Sequence, residues 1–252
     1  MSKPLQPNLF SDVAVPTDPI AYEPATPFAV AQLPYLEASL PAFLQLIEQP
    51  DRVPSALSIL GLSYASPLAS SARNRLREDP EIAALAAERY WGYWPGVEDL
   101  AAMVEGSLGN AFGALLQQEG MQLIERPEGL HSLADDDKYL QLRARACHDI
   151  WHLITGFPNT LPGEVALNGF GARQLREPGP VLLLAADLMA RAHLSDTSPD
   201  LADAVAFGLK LGGVCAPLLA QRWEEGWTRS IEDWRRQLGI SDELQLSPFT
   251  PL

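Results

Sequence analysis

Between residues 40 and 238 the apolar side chains return every third or fourth position, and strict alternation is missing. The chain therefore offers helices to a core and no sheet of any size. Leu40, Phe43, Leu44 and Ile47 follow the i, i+3, i+4, i+7 rule, and the run stops at Pro50. Asp79-Pro80-Glu81 reads as a helix start leading Ile82, Leu85, Ala86 and Tyr90 along one face. Further helices are expected over 108–118, 136–155, 163–175, 180–193, 201–211 and 217–238. Ahead of them Pro4, Pro7, Pro16, Pro19, Pro24, Pro27 and Pro34 interrupt any continuous helix or sheet. The expectation is an extended Pro-rich arm over 1–34, then one all-α domain, a helical bundle, over 35–252.

A chain of 252 residues, 47% hydrophobic and 20% charged, can bury such a core. Its formal net charge of −14 argues against nucleic acid as a partner. The same charge is repelled by an anionic bilayer, so any peripheral membrane contact must be local or apolar. Cys147 and Cys215 make no disulfide framework and suit a reducing compartment. The first residues carry neither an apolar signal core nor an Arg-rich transit pattern. The longest apolar stretch, 205–219, is interrupted by Lys210 and Pro217 and is too short to span a membrane. These features together predict a cytoplasmic location.

Residues 148–164 read HDIWHLITGFPNTLPGE. His148 and His152 stand at i and i+4, on one helix face, with Cβ atoms roughly 5–6 Å apart. Two imidazole nitrogens so placed reach a common cation, as in helical zinc motifs. Asp149 is available from the flank, as a third ligand or as a hydrogen-bond partner to a ligand or water. Gly156 and Pro158 end the helix, and Pro162-Gly163 begins another, which puts Glu164 in its first turn, near the histidines if the two helices form a hairpin. Two neutral histidines and two carboxylates neutralise a divalent ion and suit zinc, iron or manganese better than calcium. The other reading is a polar seam in a helical protein. Carboxylates beside an apolar run favour the metal, because they are costly to bury unpaired. The pattern lacks the H-E-x-x-H of zincins and the additional histidine of HD-type phosphohydrolases.

H-D-x-x-H followed after eleven residues by E resembles the signature of the coenzyme Q biosynthesis protein 4 family. Arg143-Ala-Arg145-Ala-Cys-His148-Asp149 is similar to the family's R-Y-R-E-x-H-D, and His152-Leu-Ile-Thr-Gly156-Phe-Pro158 to its H-x-x-x-G-x-P. Gly163-Glu164-Val-Ala, Glu105-Gly-Ser-Leu-Gly109 and Trp234-Arg235-Arg236-Gln-Leu-Gly-Ile240 resemble further family segments. The likeness runs from about residue 35 to 240. It implies a metal held by His148, Asp149, His152 and Glu164, with zinc the first expectation and iron or magnesium its rivals. It also implies a peripheral membrane protein of ubiquinone biosynthesis that meets a prenylated quinone precursor and the other biosynthetic enzymes. The activity implied is oxidative decarboxylation at ring carbon 1 of a prenylated 4-hydroxybenzoate. Alternatives are a non-catalytic prenyl-lipid-binding scaffold and a metal-dependent phosphohydrolase, so whether the chain is an enzyme at all stays open. Asn168 and Gly171 stand where the family has a lysine and an acid, and Val181-Leu-Leu-Leu184 replaces its Pro-Met segment, which puts the substrate in doubt.

Arg145, three residues before His148, is placed on the metal face to bind an acidic headgroup; Arg143 has the same reading, with a pairing to Asp135, Asp136 and Asp137 as its alternative. His131 and His193 read as surface or capping residues, and Cys147 as a small core residue. The stretches 181–189 and 207–214 suit either an apolar tunnel or close helix packing. Trp223, Trp227 and Trp234 recur at helical spacing; they suit core first, and otherwise an interfacial face such as a homodimer's.

Overall fold

A computed structural model describes residues 27–50, 52–132, 135–191 and 199–249. Twelve α-helices occur among the described residues: α1 (Pro27–Glu48), α2 (Val53–Tyr64), α3 (Pro67–Leu76), α4 (Pro80–Glu88), α5 (Val97–Ala101), α6 (Leu108–Glu119), α7 (Asp136–Thr155), α8 (Leu161–Gln174), α9 (Pro178–Arg191), α10 (Leu201–Val214), α11 (Ile231–Gln237) and α12 (Ser241–Leu244). The fold is all-α. The one β-pairing among the described residues is an isolated antiparallel bridge between Ser107 and Ser230. None of the described helices is long and apolar enough to cross a membrane.

Half of the twelve helix starts carry side-chain caps of the expected kind. Ser66, Asp79, Ser107, Asp135, Asp200 and Ser230 each accept a hydrogen bond from a first-turn amide that has no partner inside its helix. The main core is built around α7, whose Tyr139, Leu140, Ala146, Cys147, Ile150, Trp151 and Ile154 are buried. α8 is buried on nearly all sides by Val165, Ala166, Leu167, Gly169 and Phe170, and α10 packs along its length. A smaller cluster of Ala42, Leu46, Ile59 and Ala186 joins α1, α2 and α9 into a satellite layer.

Two expectations need correction. Helix α1 begins at Pro27, so the extended arm does not reach residue 34; residues 1–26 lie outside the described ones. Pro34 and Pro41 sit inside α1 on exposed positions, where the carbonyls they leave without an amide donor can be hydrated. The single helix expected over 217–238 is instead two short 3₁₀ turns, Leu218–Ala220 and Trp223–Glu225, followed by α11. Pro217 and Gly226 punctuate that segment, and its three tryptophans are core: Trp223, Trp227 and Trp234 are all buried.

Arg73, buried in α3, ties the layers together. It contacts Asp137 Oδ2 at 3.0 Å, Glu177 Oε1 at 3.2 Å and donates to Tyr64 O at 2.8 Å. Burial raises the pKa of Asp137, but Arg77 and Arg73 outweigh it and hold the carboxyl below its ordinary value. A depressed folded-state pKa contributes stability above the unfolded value of about 3.9, and that contribution is lost as pH falls through the lower folded value. Wild type is therefore expected to lose thermal stability below about pH 4 more steeply than Asp137→Asn, a comparison that calorimetry at stepped pH makes directly.

Candidate metal centre

The centre sits where α7 ends and α8 begins. The C-terminal turn of α7 stops at Gly156, which takes the left-handed conformation (φ 70°) that a non-glycine residue adopts only with strain. The chain then doubles back. Phe157 O comes to 3.0 Å from His152 Nδ1, inside the core and close to that histidine's own helix. Thr160 and Pro162 start α8, and Glu164 lies in its first turn, where the helix dipole favours a carboxylate. Gly163 allows the close return: a Cβ there would lie 1.8 Å from Pro158 O.

His148 and His152 face each other with ring centroids 4.9 Å apart. One nitrogen from each and one Glu164 oxygen all lie within 4.8 Å of one another. The hairpin expected from the sequence thus brings these three together. Asp149 does not join them; its Oδ1 lies 3.1 Å from His148 Nδ1, where it fixes that ring's orientation.

The protonation pattern tests whether a cation fits. A carbonyl oxygen only accepts, so the contact to Phe157 O requires a proton on His152 Nδ1. In the neutral ring Nε2 is then a bare acceptor. It is buried, makes no hydrogen bond, and lies 3.2 Å from Glu164 Oε1, also an acceptor. Two acceptors facing each other need a proton or a metal cation between them, and their separation is also that of two ligands on one tetrahedral ion, roughly 3.3 Å apart for bonds near 2.05 Å. The residues fit a divalent cation.

The three groups are also coupled electrostatically. Burial disfavours the Glu164 carboxylate, but His152 and His148 beside it hold its pKa below the ordinary carboxylate value. For His148, burial opposes the charged form, while Asp149 and Glu164 outweigh it and raise the pKa. Its side chain keeps 45% exposure, so the desolvation is partial and the site opens to solvent on this side. Cys147 is fully buried and faces the core; burial pushes its thiol up to about 12, which makes it a packing residue and no ligand.

Of the two candidate arginines, Arg145 is exposed on α7, about one turn before His148. Arg143 is not at the site, nor does it pair with the acidic run at 135–137. It is fully buried on the far side of α7 against Glu224, because 100° per residue turns it away from His148 and His152. Asp136 instead meets Arg89 at 2.7 Å. His131 is exposed and contacts Arg126, while His193 lies outside the described residues. Of the glycines at 207–214, Gly208 and Gly212 serve close packing against the backbone of α8. Asn168 lies one turn after Glu164, on the same partly exposed edge of α8.

Sequence reasoning missed the Phe157 carbonyl and Arg235. The Gly156–Pro158 turn signals that the chain reverses, but not which carbonyl returns to the histidine. Arg235 donates from Nε to Ile154 O and from Nη2 to Leu153 O, both at 2.9 Å. It stands in a family-like segment, yet its partners are on another helix.

Comparisons with known proteins agree with this architecture. Residues 45–243 match the family described as coenzyme Q (ubiquinone) biosynthesis protein Coq4. The chain is 28% identical over 191 residues to the mitochondrial ubiquinone biosynthesis protein COQ4 of Coprinopsis cinerea, covering 74% of this chain and 64% of that protein. It is 25% identical over 199 residues to the COQ4 homolog of Danio rerio, covering 74% and 69%. The chain thus spans about two thirds of the length of these curated relatives. A crystal structure of a putative ubiquinone biosynthesis protein from Nostoc punctiforme superposes with a TM-score of 0.69 at 25% identity, covering 82% of this chain and 98% of that one. The chain belongs to the coenzyme Q (ubiquinone) biosynthesis protein Coq4 family.

Proposed function

We propose that the chain acts in ubiquinone biosynthesis as a metal-dependent protein that binds a prenylated 4-hydroxybenzoate and promotes oxidative decarboxylation at ring carbon 1. The observation that carries the metal reading is the buried, unbonded His152 Nε2 facing Glu164 Oε1 at 3.2 Å, with His148 completing the cluster. His148, His152 and Glu164 hold the cation, and Asp149 and the Phe157 carbonyl orient the two imidazoles. Zinc is the first expectation for this donor set, with iron and magnesium as rivals. When bound, the cation would supply Lewis acidity for the ring carboxylate or phenolate; the oxidation itself needs dioxygen as the electron acceptor, which a redox-active ion such as iron would engage and zinc would not.

The protein's own groups bind and orient. Arg145, exposed beside the open side of the cluster, takes the substrate carboxylate. Asn168 offers that carboxylate an amide in place of the family's lysine, a neutral hydrogen bond instead of a charge. Leu36, Leu40 and Leu44 of α1, Leu57 of α2 and Val181 and Met189 of α9 leave apolar side chains exposed on the satellite layer. That layer is the surface this reading assigns to the bilayer interior or to the other biosynthetic enzymes.

Elemental analysis tests the centre first. Purified wild type is expected to carry about one divalent ion per chain, and His152→Ala and Glu164→Ala to lose it, with helical content retained. Metal-free wild type after growth in metal-supplemented medium, and no uptake on reconstitution, would overturn the centre. Carbon dioxide release from prenylated 4-hydroxybenzoate, measured for each metal form, then tests the reaction. A loaded protein that never turns over supports the scaffold, in which the cation only clamps α7 to α8. Phosphate release that vanishes in His152→Ala would support the phosphohydrolase.

A further inference from the structure

We propose that Arg235 is a positioning residue for the cation centre, holding His152 and Glu164 in register through the turn that joins α7 to α8; the inference rests on the reading of that cluster as a metal site. The last four carbonyls of a helix have no donor within it. In α7 the Thr155 hydroxyl donates to Trp151 O at 2.7 Å and only approaches His152 O, at 3.4 Å, whereas the carbonyls of Leu153 and Ile154 take the Arg235 guanidinium at 2.9 Å each. A planar fork spans two adjacent carbonyls, which a lysine ammonium on its single point cannot do in the same geometry. The positive charge also meets the negative end of the α7 dipole.

From there the contacts run to both sides of the cluster. The Arg235 Nη2 lies 3.4 Å from where a Cβ on Gly156 would be, so the guanidinium covers the left-handed turn itself. The next residue, Phe157, supplies the carbonyl that sets the His152 tautomer. Pro158 then seats its carbonyl against Gly163, the neighbour of Glu164, leaving no room for a Cβ. A turn that shifts therefore rotates one ligand and displaces another. Arg235 reaches this turn from α11, far along the chain, and so locks the C-terminal segment to the centre. Its neighbour Arg236 is exposed and pairs along its own helix, with Asp233 at 2.7 Å.

The test uses the full chain as wild type, Arg235→Gln, Arg235→Lys and Arg236→Gln. Two quantities are read: the His152 tautomer in metal-free protein, by nitrogen-15 NMR of the imidazole, and the affinity for zinc ion, by competition with a chromophoric chelator. Wild type and Arg236→Gln are expected to hold the Nδ1–H tautomer and to bind zinc equally. Arg235→Gln is expected to mix the tautomers and bind zinc about tenfold or more weakly, the scale on which loss of a ligand's orienting partner acts. Arg235→Lys falls between. If Arg235→Gln does not fold, Gly156→Ala presses a methyl toward the guanidinium and strains the same turn, and it is expected to show the same tautomer mixing. Unchanged tautomer and affinity in whichever of these two variants folds overturns the proposal. Tautomer mixing in a chain whose wild type binds no zinc upholds the positioning role and overturns the metal reading instead.

Discussion

Arg143→Met is expected to destabilise the fold by about 3–5 kcal/mol, the usual cost of stranding one partner of a buried ion pair. The Arg143 side chain is 0% exposed and that of Glu224 is 1%. Arg143 engages both Glu224 oxygens, with Nη2 at 2.8 Å from Oε2, and also donates to Gln221 O at 2.7 Å. Trp94 Nε1 adds a 3.0 Å bond to Glu224 Oε1. With the guanidinium removed, the carboxylate keeps a single neutral donor, and the cavity must admit water or the acid must take a proton. Glu224→Met strands the guanidinium in the same way and is expected to cost a similar amount.

The double variant Arg143→Met/Glu224→Met removes both charges and fills the space with side chains of similar length. It leaves the Gln221 carbonyl and the Trp94 indole without partners, at about 1–3 kcal/mol each if they stay dry. Its cost is therefore expected to fall well below the sum of the two single changes. Urea unfolding of all four proteins gives the coupling, which is expected to exceed about 2 kcal/mol in the favourable direction. Single variants within about 1 kcal/mol of wild type would show that the pair is hydrated and unimportant. Zinc uptake by the double variant is expected to survive, because Arg143 lies on the opposite side of α7 from the histidines.

Glu224 also shows where sequence reading stops. The α7–turn–α8 hairpin was legible because the histidine spacing, Gly156 and Pro162 are local signals, and a helix period converts them into positions. The partner of Arg143 stands 81 positions away, so periodicity leaves it equally able to face substrate, solvent or the acidic run at 135–137. Asp149 stays open for a different reason: its spacing allows either ligation or support, and the side-chain torsions that carry it to His148 Nδ1 are not written in the spacing. The segment at 217–238 misled because buried irregular chain can also place tryptophans four and seven residues apart. There the buried positions, Leu218 to Gln221, Trp223, Glu224, Trp227, Trp234 and Leu238, follow 3₁₀ turns and loop as well as helix, and a period read from apolar positions loses its meaning. The prolines of α1 misled in the opposite direction. An interior proline disfavours a helix without forbidding it, and at the exposed Pro34 and Pro41 water can meet the carbonyls that lose their donor.

Gly208→Ala is expected to destabilise by at least about 3 kcal/mol, at or above the upper end of ordinary overpacking, although alanine is the better helix former. Intrinsic propensity favours alanine by about 1 kcal/mol at a helix interior. Against that stands a contact that no rotamer relieves. A Cβ at 208 would lie 2.0 Å from Ala166 O, 2.8 Å from its carbonyl carbon and 3.0 Å from its Cα, all backbone of α8. Relief requires α8 and α10 to separate by more than 1 Å, and they touch along most of their length. Gly212, whose Cβ position lies 2.8 Å from Phe170 O, and Gly169, at 3.2 Å from Val205 O, would lose their backbone contacts together with the buried Phe170, Ala204 and Leu211. Gly61 in α2 is the internal control, since nothing lies within 4 Å of its Cβ position. Gly61→Ala is expected to gain about 0.5–1 kcal/mol from propensity alone. Opposite signs at two helical glycines, read from denaturant midpoints of the same chain, would isolate packing from propensity; Gly208→Ala at or above wild-type stability would mean that the two helices do not meet here. Because α8 also carries Glu164, the strained variant is further expected to bind zinc more weakly, whereas Gly61→Ala, in the satellite layer, leaves that affinity untouched.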